Sequence, residues 1–177
     1  MSDVKGSVLY PMAHYGKPAM DELFEQSKLS YIHQDVQPKF FKKKIAFNVL
    51  SYHEDIMSDG MSIQEWQLKA EIGRLTKDFK AKPSVNLSVM TVPVFNGTIL
   101  DLKLTFDKEV TAADIRETLK ENEDNFLVID DRRFETMPAA LEVASARQAI
   151  VTRVREDFSS DTGINLMIML DLSLIHI

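Results

Sequence analysis

The sequence predicts an α+β fold, a mostly antiparallel mixed sheet with helices packed on one face, and three observations carry that prediction. Asn96-Gly97 sits between two runs that alternate apolar and polar residues, the pattern of a hairpin whose turn needs positive φ. Ser62 with Glu65, and Thr111 with Asp114, each place an acid three positions after a hydroxyl residue, the signature of a helix start. Further short apolar or alternating runs read as strands, so strands outnumber helices. The two element types alternate irregularly and show no self-similarity at periods of roughly 20 to 50 residues, which excludes a solenoid.

Taken in order, residues up to Gly16 are irregular or short-strand in character. Pro18 then stands where the first turn of a helix tolerates it, and Met20, Leu23 and Phe24 give that helix an apolar stripe through about Lys28. After a loop over residues 34–38, Lys44 to Leu50 is short and apolar enough for a buried strand. The Ser62 capping box, with Met61 and Trp66 placed as a hydrophobic staple, predicts a helix from Ile63 to about Asp78. Leu68, Ile72, Leu75 and Phe79 recur at helical spacing and should lie on a core. The hairpin is expected over residues 85–106, and Thr111 opens a short helix through about Asn122, with Ile115 facing Val110. Phe126 to Asp130, Gln148 to Arg155 and Asn165 to Leu170 complete the strands.

A chain of 177 residues that is 45% hydrophobic and 27% charged can bury one good-sized core, so a single domain is expected. A formal charge of −6 gives no electrostatic attraction to nucleic acid. The basic cluster from Lys39 to Lys44 is interrupted by Phe40 and Phe41 and reads as a solvated loop or strand edge. No run is long enough to span a bilayer and the first residues lack the apolar core of a secretory signal, so a cytoplasmic address is the natural expectation. The absence of cysteine removes disulfides, thiolate metal sites and a Cys nucleophile from these residues. Nor does any strand lead through a Gly-rich turn into a helix, so the residues contain no dinucleotide-binding half; only Gly16 comes near a helix opening.

Six segments in one order then carry a resemblance: Gly16 to Leu23, Ile45 to Val49, Glu65-Trp66 with Glu71, Val92-Pro-Val-Phe-Asn-Gly97, Arg153 to Asp157, and Gly163 to Leu166. Together they resemble the C-terminal, dimerising half of the aspartate-semialdehyde dehydrogenases over roughly residues 7 to 170. The resemblance implies a glyceraldehyde-3-phosphate dehydrogenase-like C-terminal fold and a homodimer, with no nucleic-acid or membrane partner. It also implies an NADP-dependent reductive dephosphorylation of aspartyl phosphate through a Cys thioester. The nucleophile and the NADP site belong to the family's other half, so this chain alone is expected to bind no cofactor and to turn over no substrate. It is read as one dimerisation domain over residues 1–177, cut short near residue 170, with Leu172 to Ile177 foreign to the native fold.

Carried over residue by residue, the family's functional groups fall on neutral side chains. The acid–base His falls on Thr98 and the substrate-clamping Arg on Thr91. The Glu and Lys one helical turn apart fall on Gln64 and Gln67, and a substrate-contacting Gln falls on Tyr10. No His or Arg lies between Lys77 and Arg116, so no neighbour can take those two roles by a shift of register. Catalytic residues are therefore expected to be absent, and the alternative reading is a non-catalytic paralogue that keeps only the dimer scaffold. The plain structural expectation is that Gln64 and Gln67 are exposed helix polars and Thr91 and Thr98 ordinary strand residues.

Other candidates weigh less. His14, His33, His53 and His176 are scattered without metal-ligand spacing, so no metal site is expected. Asp130 to Arg133 could hold an ion but reads as a solvated turn, as does the acidic stretch Glu121 to Asp124. Trp66 and Phe79 read as core residues rather than as parts of a cofactor box.

Overall fold

The computed structural model describes residues 1–79, 82–130, 136–143 and 146–171. Six strands form one sheet: β1 (Asp3–Tyr10), β2 (Ser84–Thr91), β3 (Thr98–Thr105), β4 (Phe126–Val128), β5 (Ala149–Glu156) and β6 (Gly163–Leu170). Their spatial order is β2-β1-β3-β6-β5-β4, with antiparallel pairs at the centre and a parallel pair at each margin. Three α-helices accompany them, α1 (Lys17–Tyr31), α2 (Ile63–Leu75) and α3 (Ala112–Lys120). The arrangement is the expected α+β one, and both capping boxes form at the residues that the sequence marks.

The main core lies between α3 and one sheet face. Leu102, Val151, Ile164 and Leu166 are buried there against Ala112, with Ile115 and Leu119 of α3 packed alongside. Alternation explains the pattern, because every second residue of β3 and β6 points to this face. A second core, Met12, Ala19, Leu23, Phe41, Ile45 and Leu50, joins α1 to the segment after it.

Four expectations are corrected. The first sixteen residues are not irregular: β1 is a full strand paired on both sides, between β2 and β3. The hairpin over residues 85–106 consequently does not exist. β2 and β3 are separated by β1, so residues 92–97 must span two strand spacings, about 9.6 Å, where a tight turn spans one. This connection is held by Met12 N–H on the Val94 carbonyl (2.8 Å) and Ala13 N–H on the Phe95 carbonyl (2.9 Å). Gly97 does adopt positive φ (87°), and a side chain there would also overlap the Ala140 carbonyl, so glycine serves a close backbone approach.

Third, Lys44 to Leu50 is no strand. The Gln26 carboxamide oxygen accepts from the consecutive amides of Ile45 (2.8 Å) and Ala46 (3.1 Å). Consecutive amides of a strand point opposite ways, so this grip forces a turn, which Phe47 completes at φ 60°. Only Leu50 reaches the sheet, as a single antiparallel bridge to Thr91. Fourth, α2 does not lay an apolar face on a core. Trp66 (50% exposed), Leu75 and Phe79 all face out, and the buried residue of the helix is Gln64. The acidic turn at Glu121 to Asp124 stands. Asp130 is half-buried and paired with Arg116 Nε at 2.6 Å, while Asp131, Arg132, Arg133 and residues 172–177, His176 among them, lie outside the described residues.

Candidate functional site

Tyr10, Thr91 and Thr98 come together because they end or begin adjacent strands. Tyr10 is in register with Thr91, and Leu9 with Ile99, which sets Thr98 on the other side of Tyr10. The chain leaves β1 through a 3-10 turn, Met12–Tyr15, whose last residue swings its ring back over Thr91. On the far side, Glu65 fixes the start of α2 to the sheet edge: one carboxylate oxygen accepts from Ser62 N–H (2.9 Å) and the other from Val89 N–H (3.0 Å). That tether sets Gln64 against the same spot.

The result is a closed neutral network. Tyr15 Oη lies 2.6 Å from Thr91 Oγ1, and the Gln64 Nε2 donates to Tyr15 Oη at 3.2 Å. The phenol can thus accept from Gln64 and donate to Thr91, which gives Thr91 (0% exposed) and Gln64 (7%) each a partner without any ion. Gln64 is therefore not the exposed helix polar expected of it. Gln67, one turn on, is exposed and outside the network. Thr98 is buried at 2% exposure, and its hydroxyl has no partner among the described residues.

Around this network lies an aromatic cluster that sequence spacing does not reveal. Tyr10 stacks on His14 at 3.7 Å between ring centroids, and His14 and His53 each stand edge-on to Tyr15, at 4.9 and 5.0 Å. His53 also stacks on Phe40 and meets Phe41 edge-on. These rings come from the turn after β1 and from the loop that Gln26 and the Leu50 bridge hold in place. No local pattern links them, so only the tertiary fold could expose the grouping. Beside it a cavity of about 270 Å³ opens between Lys42, Asn48, Ser51 and His53.

Burial sets the charge state. It pushes the Tyr10 and Tyr15 phenols above their ordinary value, and in Tyr15 the bonds to Thr91 and Gln64 oppose it. It pushes His14 and His53 below theirs, against the pull of Glu54. Near neutral pH the site is a set of uncharged hydroxyl, carboxamide and imidazole groups. It can donate and accept hydrogen bonds but offers no cationic fork for a carboxylate or phosphate.

The opening amides of α2 and α3 are taken by Ser62 with Glu65, by Thr111 with Asp114, and, at Ala112, by Glu156, whereas α1 opens at Gly16 and Pro18 with no side-chain cap. Among the described residues no three His, Asp or Glu side chains gather as metal ligands, and no helix is long and apolar enough to cross a membrane.

Comparison with known proteins gives a consistent picture. The profile of the semialdehyde dehydrogenase dimerisation domain matches residues 14–172. The aspartate-semialdehyde dehydrogenase of Rickettsia conorii is 31% identical over 157 residues, covering 88% of this chain and 45% of that protein. That of Aquifex aeolicus is 26% identical over 158 residues with the same coverage. The chain thus spans less than half the length of these curated relatives. Among solved structures, aspartate semialdehyde dehydrogenase II of Vibrio cholerae complexed with ASA superposes with a TM-score of 0.86 at 23% identity, over 97% of this chain and 49% of that one. The enzyme of Candida albicans with NADP gives 0.64 at 16%, over 98% and 46%. At these identities the likeness is one of fold.

Proposed function

The chain belongs to the semialdehyde dehydrogenase dimerisation-domain family, and from that premise we propose that it is the homodimerising half of an aspartate-semialdehyde dehydrogenase-type protein that has lost the family's reaction. One observation carries this reading: the neutral Tyr15–Thr91–Gln64 network stands where the resemblance implies an Arg and a Glu around a charged substrate. Tyr15 lies between the two substituted positions and is the hydrogen-bond partner of both. Thr98, at the place implied for the acid–base His, has a hydroxyl that neither takes up nor releases a proton near pH 7. Loss of general acid–base catalysis alone costs a factor of about 10²–10⁴.

In the competing reading the whole protein still performs NADP-dependent conversion of aspartyl phosphate to aspartate semialdehyde in amino-acid biosynthesis, with nucleotide and thiol supplied from beyond these residues. A cytoplasmic address follows from either reading. The full-length gene product decides between them, assayed for phosphate-dependent reduction of NADP with aspartate semialdehyde. No turnover is expected. Turnover by the unaltered protein would overturn the proposal. Restoring the clamp requires Tyr15→Ala together with Thr91→Arg and Thr98→His, because the Tyr15 ring occupies the space that the guanidinium needs.

A further inference from the structure

The cavity beside the neutral network differs in charge from the rest of this acidic chain. Its lining holds Lys42 and Lys43 and, among the described residues, no carboxylate, whereas the cavities beside α1, at the β2 edge and along the end of β5 each carry two or more. The net charge of the protein is −6, so a cavity edged by cations alone is a local exception. Of three consecutive lysines, Lys44 is paired with Asp35 at 2.6 Å and Lys42 with Asp55 at 2.8 Å, but Lys43 meets no carboxylate among the described residues.

Donors without partners line the same cavity. The hydroxyls of Ser51 and Tyr52 hold no hydrogen bond among the described residues. His53 is packed by Phe40, Phe41 and Tyr15, and none of these rings gives its Nδ1 a partner. That nitrogen and the Thr98 hydroxyl are the two buried side-chain polar atoms left unsatisfied among the described residues. Burial favours the neutral ring, and a neutral imidazole with its proton on Nδ1 is a donor. The walls are fixed without any ligand. Asn48 clasps the turn, its Nδ2 donating to the Lys44 carbonyl (3.0 Å) and its Oδ1 accepting from Val49 N–H (2.9 Å). Leu50 exchanges both backbone bonds with Thr91, at 2.9 and 2.8 Å. Donors held in this way bind with little further ordering cost.

We propose that this cavity binds a small phosphate monoester, its head accepting from Lys42, Lys43, Ser51 and His53 Nδ1–H and its organic group resting on Val49 and the Tyr52 ring. A phosphate suits the lining better than a carboxylate, because its three terminal oxygens and charge of about −2 match two ammonium groups and three neutral donors. Asp55 holds Lys42 in place but takes only one of its N–H groups. A volume of about 270 Å³ lies just under the range of drug-sized sites, so the organic group is small. Every lining residue belongs to one chain, and the site needs no second copy.

Calorimetric titration of the 177-residue chain with phenyl phosphate tests the site, with inorganic phosphate and phenol as separate arms. Phenyl phosphate should bind with a dissociation constant of about 1 mM or less, inorganic phosphate about threefold or more weakly, and phenol not measurably. Lys43→Met keeps the stem of an exposed side chain and removes its charge, and should weaken phenyl phosphate about tenfold. His53→Phe keeps a ring and removes the donor, and should weaken it about threefold. In amide NMR spectra Val49, Ser51 and His53 should shift on titration while Ile115 and Leu119 of α3 stay in place. Inorganic phosphate binding as tightly as phenyl phosphate assigns the cavity to the free ion and overturns the monoester. Affinity unchanged in both variants, shifts confined to residues elsewhere, or no binding up to about 10 mM overturns the site itself.

Discussion

Helices α2 and α3 begin identically and end up in opposite circumstances. In each, the cap hydroxyl accepts from the amide three residues on at 3.2 Å, and the acid there returns a 2.9 Å bond to the cap amide. Yet α3 buries Ala112 and packs Ile115 and Leu119 on the sheet, while α2 turns Trp66 and Leu75 outward and buries Gln64. A capping box is a local arrangement that fixes where a helix starts. Where the helix goes is decided by groups outside that turn: Val89, which holds Glu65, and the apolar stripe of β3 and β6, which holds α3.

The largest effect that would test this contrast is in the core. Leu166→Ala beneath α3 should cost about 3 kcal/mol in urea unfolding, whereas Trp66→Ala on α2 should cost less than about 0.5 kcal/mol. Equal losses would mean that the two helices are equally packed. Next, Glu65→Ala should cost about 2 kcal/mol and Asp114→Ala about 1, because only Glu65 also satisfies an amide of the sheet edge. Ser62→Ala and Thr111→Ala should then match each other at about 1 kcal/mol, since the two caps share one geometry.

The smallest effect is a slope with pH. Burial among Phe40, Phe41 and Tyr15 holds folded His53 below its ordinary value of 6.5, so on acidification the unfolded chain takes up the proton first. That contribution to stability is complete above 6.5 and is lost as pH falls through the folded value. Thermal melts between about pH 7 and 5 should show it for the parent chain, and more weakly for His53→Phe, in which, among the described residues, His14 still titrates this way.

These contrasts also show what was legible beforehand. Ser62 with Glu65 and Thr111 with Asp114 announce their helices because every participant lies within four residues. The alternation in β3 and β6 likewise shows which side chains meet the core. What the pattern could not show is pairing over long separations: that β1 slides between β2 and β3, or that Gln26 turns an apolar run away from the sheet. The same holds for the site. Thr91 and Gln64 were identifiable as substituted positions, but Tyr15, which joins them, and His14 and His53, which flank it, stand in segments that only the crossover from β1 to β2 gathers.

Gln26 has one more consequence, for motion. Through a single carboxamide oxygen it holds two amides of the 39–50 loop, while its nitrogen donates to Glu22, whose carboxylate accepts from Lys39 and Phe40. Helix and loop therefore cannot loosen separately without stranding buried donors. Deuterium should enter the Ile45 and Ala46 amides at the rate set by the opening of α1, as one cooperative unit, despite their position in a surface turn.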